Sequence, residues 1–144
     1  MSELASEPVA QASLGARALP IAPSPVPPVD ILEWLLDGRY VAQRRVDADD
    51  PYLAGHYPGR PIYPGVFLVE SVAAVARQLA GSVRVRAVRS ARFSAPAFPG
   101  DVLTLRGACV ERHGTVDIDA RIVNQHGTGV ARVALTLDRV AVAP

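Results

Sequence analysis

Residues 50–81 read DPYLAGHYPGRPIYPGVFLVESVAAVARQLAG, and the fold turns on how this stretch is read. Its second half, 65–80, predicts a helix. Val66, Phe67, Leu68, Val69, Val72, Ala73, Ala74, Val75 and Leu79 run all the way round it. A helix apolar on every side is one that the rest of a domain wraps. Pro64 suits the first helical position and Gly81 the C-terminal stop. One acid, Glu70, sits in the middle, and an ionised carboxylate there is costly unless paired or solvated. Ahead of the helix lies a loop with one histidine, His56, followed by Pro58, Pro61 and Pro64, which stiffen the chain and hold it extended. An imidazole on a stiff loop that leads into a buried helix carrying a carboxyl is a candidate acid–base pair. The plainer reading stands beside it: a glutamate at the edge of a buried face and a histidine on a wet surface.

Upstream, residues 1–28 are rich in Pro, Ala and Ser and predict an irregular, partly polyproline-like segment. Asp30 suits a helix N-cap and Gly38 a stop, so residues 31–36 predict a short helix with Trp34 packed on the core. Residues 40–46 predict a strand. Downstream of Gly81 the period changes from helical to two. Val83, Val85 and Ala87 alternate with Ser82, Arg84 and Arg86, and the strand continues to about residue 95. Residues 98–101, FPGD, form a turn by composition. Further strands follow at 102–110, around Val116, Ile118 and Ala120, and at 129–140, with turns at His113-Gly114 and at 124–127. The expected fold is α+β: an antiparallel sheet of about five strands, one face wet and the other wrapped on a long central helix. Residues 29–144 are expected to form a single domain.

Composition bounds the partners. Of 144 residues, 49% are hydrophobic and 20% charged, which fits one globular domain rather than a disordered chain. A net charge of +1 gives no general pull toward nucleic acid or membrane, and neither is expected as a partner. The single cysteine, Cys109, leaves no internal disulfide and no thiolate metal site. It is expected to fill core, and a reducing cytoplasm fits it. No apolar run reaches the roughly 18–20 residues of a membrane span, and the first residues lack a signal-peptide pattern.

Gly55-His56-Tyr57-Pro58, then Pro61-Ile62-Tyr63-Pro64-Gly65-Val66, then Glu70 on the following helix resembles the signature of bacterial 3-hydroxyacyl-(acyl-carrier-protein) dehydratases of the hotdog fold, in their Glu-bearing branch. Ala91-Arg92-Phe93-Ser94-Ala95-Pro96 with Pro99-Gly100-Asp101 behind it is similar to a second family motif. The resemblance spans about residues 39–140. The chain departs from the pattern in its opening segment, in Tyr63 where Met is commoner, and in Ala74 where Gln is usual.

The resemblance implies dehydration of a 3-hydroxyacyl thioester, carried on the phosphopantetheine of acyl carrier protein, to a trans-2-enoyl thioester, in fatty-acid or in polyketide and polyene synthesis. No bound cofactor and no metal is implied. His56, with a reference pKa of about 6.5, would take the α-proton. The Gly65 N–H at the positive end of the helix would hold the thioester oxygen. Glu70 would hold or protonate the leaving hydroxyl. Tyr57, Pro58, Tyr63, Val66, Phe67 and Phe93 would line the substrate tunnel. Arg84, Arg86, Arg89 and Arg92 would attract the acidic carrier protein; alternating arginines on a strand are equally its wet face. A double-hotdog dimer is implied, with His56 of one subunit meeting Glu70 of the other. Mixed pairing with a paralogue and higher assembly stay open. A hotdog acyl thioesterase and a non-catalytic subunit of a mixed dehydratase dimer are the competing functions.

Overall fold

The computed structural model describes residues 29–47 and 62–141. In chain order these form β1 (Ile31–Trp34), a short turn of 3-10 helix (Leu36–Gly38), β2 (Arg39–Arg45), α1 (Gly65–Ala80), β3 (Val83–Phe93), β4 (Val102–Arg112), β5 (Thr115–Val123) and β6 (Gly129–Arg139). All strand pairs are antiparallel and make one six-stranded sheet in the order β1-β2-β4-β5-β6-β3.

Period-two alternation decides which face is inside. Leu103 and Leu105 on β4, Val116, Ile118 and Ile122 on β5, and Val133, Leu135 and Leu137 on β6 are buried, while residues between them reach solvent. That inner face curls around α1, which presents Val72, Val75 and Ala76 to it. Each buried Val or Leu side chain contributes about 1.5–3 kcal/mol. An antiparallel sheet wrapped on one helix is the hotdog architecture. Gly81 ends the helix at φ 88°, and its N–H donates to the Arg77 carbonyl at 3.0 Å. No helix among the described residues is long and apolar enough to cross a membrane.

Two expectations need correcting. Among the described residues the sheet has six strands, because residues 31–34 are a strand and not a helix. Asp37 and Gly38 both take positive φ, 64° and 76°, a conformation that turns a hairpin. The chain therefore doubles back, and Trp34 pairs with Tyr40. The Asp30 carboxylate does not cap a helix; it accepts the Arg45 N–H at 2.7 Å. Trp34 lies on an edge strand, 54% exposed, and not in the core. Second, α1 is not enclosed on every side. Ser71 through Ala76 are buried, but Val66 is 56% exposed, and Val69, Glu70 and Arg77 are half-buried along one flank.

Candidate active site

The start of α1 is built by its neighbours. Tyr63 is buried, donates its N–H to the Ala97 carbonyl at 2.7 Å, and meets Phe67 edge to face with ring centroids 5.5 Å apart. Pro64 is extended and stands just outside the helix, one position earlier than expected. Its carbonyl accepts from Phe67 N–H at 2.9 Å and Leu68 N–H at 3.3 Å. The N–H groups of Gly65 and Val66 stay outside that bonding, at the helix's positive end. Phe93, the last residue of β3, lays its ring over Gly65: a Cβ there would stand 3.1–3.3 Å from three ring carbons. Gly65 has no positive φ, so the glycine answers to space and not to backbone conformation. Between these groups opens a pocket of about 400 Å³, lined by Ile62, Tyr63, Gly65, Leu68, Phe93 and residues 94–97, in the size range of small-molecule sites.

Glu70 lies further along the helix, 25% exposed, on the open flank with Val66 and Val69. Its Oε2 accepts from Nη2 of Arg77, two turns on and on the same helix face. The acid that the apolar run left without a partner thus has one from its own helix. Arg77 went unread in the sequence, although two-turn spacing of opposite charges was the available signal. Leu68 was likewise passed over as core.

Of the residues expected to line a tunnel, Tyr63 and Phe93 come together in the pocket, and Gly65, expected to hold the thioester oxygen, lines it with them. Phe67 is buried beneath Tyr63 and Val66 faces outward on the flank. Glu70 is not among the pocket's lining residues. His56, Tyr57 and Pro58 lie outside the described residues. Among the arginines expected to meet a carrier protein, Arg86 faces Asp138 at 3.7 Å, and Arg89 faces Asp117 at 3.9 Å and donates to the Leu135 carbonyl at 3.2 Å. Arg84 stands opposite Asp138 in register, whereas Arg92 stands opposite Arg132. Cys109 is buried, and that burial pushes its thiol above the ordinary range; it packs as a small apolar group. His113 and His126 sit in exposed turns.

The family described as ApeI dehydratase (ApeI-like) matches residues 36–131. The 3-hydroxyacyl-(acyl-carrier-protein) dehydratase FabZ of Chlamydia trachomatis is 39% identical over a region covering 53% of this chain and 57% of that one, so the chain spans little more than half of that relative's length. FabZ of an Anaeromyxobacter species is 32% identical over 80% of each chain. Among solved structures, the dehydratase heterocomplex ApeI:P from Xenorhabdus doucetiae superposes with a TM-score of 0.64 at 20% identity, covering 78% of this chain and 98% of that one. That superposition speaks for the fold. The family match runs from the β1–β2 turn through the pocket and into β6, and a curated relative aligns along most of both sequences: the chain belongs to the ApeI-like dehydratase family.

Proposed function

We propose that this protein removes water from 3-hydroxyacyl thioesters borne on an acyl carrier protein, leaving trans-2-enoyl thioesters for fatty-acid or polyketide synthesis. One observation carries the reading. A pocket opens at the positive end of α1 against a residue that has no side chain, and a carboxylate stands on the open flank of the same helix. A thioester oxygen at Gly65 would meet an N–H that the helix does not use, where negative charge develops as the α-proton leaves. His56 takes that proton. The C–O bond at C3 breaks, and the departing oxygen leaves as water with a proton delivered through Glu70, directly or by way of a water. The proton gained by His56 then returns through solvent to replace the one Glu70 gave up, so the cycle is neutral and calls for acid–base chemistry alone. Arg77 engages Oε2 of Glu70 and leaves Oε1 for the hydroxyl.

His56 is supplied by a second subunit in this reading. β3 is an edge strand, exposed from Arg86 to Phe93. An unpaired edge of this length invites a second β3, which would extend the sheet and close the open flank of α1. The heterocomplex among similar folds supports pairing of like or unlike hotdog chains.

The test uses carrier-bound 3-hydroxyacyl chains and follows the absorbance of the conjugated enoyl thioester. His56→Ala and Glu70→Gln are each expected to lower the rate by about 10²–10⁴-fold with an unchanged far-ultraviolet spectrum. Undiminished rates in both would overturn the mechanism. Release of free thiol without enoyl absorbance would identify a thioesterase instead.

A further inference from the structure

Strand register lines up side chains that lie far apart in the chain. Arg92 on β3 is opposite Arg132 on β6, Arg132 is opposite Arg121 on β5, and Arg121 is opposite Arg106 on β4. Directly opposed residues of an antiparallel pair share a face. The four arginines therefore stand in one row across the outer face of the sheet, all exposed, over about 14 Å at the usual strand spacing. None of them is in an ion pair among the described residues. The nearest acid along β5 is Asp119, one row away, and its Oδ1 accepts the Ala108 N–H at 3.3 Å. Glu33 ends the same row on β1, beyond Val41.

Other arginines of the sheet are arranged differently. Arg86 faces Asp138 and Arg89 faces Asp117; Arg139, on the helix side of the sheet where it donates to the Ala80 carbonyl, holds Glu111. Like charges opposed across strands destabilise a sheet. A sheet that sets three of its other arginines against acids and places Arg39, Arg45 and Arg112 opposite uncharged residues, yet opposes these four to one another, carries a cost that folding does not require. A partner bringing negative charge to the row relieves it.

The row also leads to the pocket. Arg92 and Phe93 are neighbours on opposite faces of β3, and Phe93 lies over Gly65. β3 ends at Phe93, and residues 94–97 beyond it line the pocket. A flexible arm crossing just past the end of β3 reaches the pocket without opening the sheet. We infer that the row Arg92–Arg132–Arg121–Arg106 is the docking surface for an acidic acyl carrier protein, whose arm turns past the end of β3. The inference rests on the dehydration proposed above. A net charge of +1 argues for a local match to an acidic protein face rather than for a field drawing any polyanion.

The test titrates the full chain with phosphopantetheine-bearing acyl carrier protein by fluorescence anisotropy, at low and at high salt. Replacing Arg106, Arg121 and Arg132 together by Gln is expected to weaken binding about tenfold or more, and high salt to weaken binding of the unmutated chain. Arg84→Gln with Arg86→Gln is expected to change binding less than about twofold, because Arg86 is matched by an acid. The triple variant should melt no lower than the unmutated chain, and Arg121→Gln alone provides a milder form if it does. Turnover of a 3-hydroxyacyl N-acetylcysteamine thioester, which has no carrier, should be unchanged in either variant. Binding unaltered in the triple and single variants would overturn the docking surface. So would binding of phosphatidylglycerol vesicles or duplex RNA in place of the carrier protein. Row-dependent carrier binding without turnover of the small thioester would uphold the surface and refute the dehydration alone.

Discussion

Glu70 and Arg77 bind each other from successive turns of one helix face, both about three-quarters buried. A half-buried carboxylate held by one guanidinium keeps a fixed orientation, and its other oxygen is left for a substrate hydroxyl. Arg77 then acts as a positioning residue for the proposed reaction. Arg77→Met is expected to lower kcat about tenfold with little change in KM, since the interaction matters most as the C–O bond breaks. Arg77→Lys should restore part of the loss, a point charge replacing a fork. Steady-state kinetics on the small thioester check it: a change in KM with kcat preserved would place Arg77 in substrate binding instead. The histidine and glutamate stood out in the sequence because each is chemically alone in its surroundings. Arg77 did not, since an arginine near a helix end has an ordinary role with the C-terminal carbonyls. Gly65 was legible as the residue whose N–H opens the helix, but that the Phe93 ring fills the space over it is a tertiary fact.

At the scale of elements, the four strands after Gly81 were readable because one face of each is buried and the pleat imposes a period of two. Residues 31–36 misled because an aspartate ahead of an apolar run is also what a helix start looks like. The deciding signal was Asp37-Gly38, a dipeptide that tolerates positive φ and turns a hairpin. Another element-level constraint lies where β4 meets β5. A Cβ on Gly107 would fall 1.9 Å from the Asp119 carbonyl oxygen, which also accepts the hydroxyl of buried Tyr40 at 2.8 Å. Burial pushes the Tyr40 phenol far up, so it remains a donor. Backbone against backbone cannot yield by rotating a side chain. Gly107→Ala is therefore expected to destabilise the fold by about 3 kcal/mol, read by urea denaturation. A loss below about 0.5 kcal/mol, the ordinary range of surface changes, would contradict this packing.

For the molecule as a whole, the arginine row and the open helix flank come from register and assembly, which no local pattern in the chain encodes. Arginines on four separate strands become neighbours only once each strand's pairing is fixed, and a slip of one residue would turn each to the other face. Three of the arginines first considered for a carrier protein, Arg84, Arg86 and Arg89, lie opposite or near acids, and only Arg92 joins the row. The exposed edge of β3 and the half-open flank carrying Glu70 both leave room for a second subunit. In the proposed assembly each reaction centre takes His56 from one chain and Glu70 from the other.

Mixing the two single variants tests that sharing most directly. His56→Ala chains and Glu70→Gln chains are each expected to be inactive in dehydration. After subunit exchange, half the dimers are mixed, and each mixed dimer holds one intact His56–Glu70 pair, so activity should return to about one quarter of the unmutated level. Exchanged dimers that stay inactive would show that histidine and glutamate do not meet across two subunits.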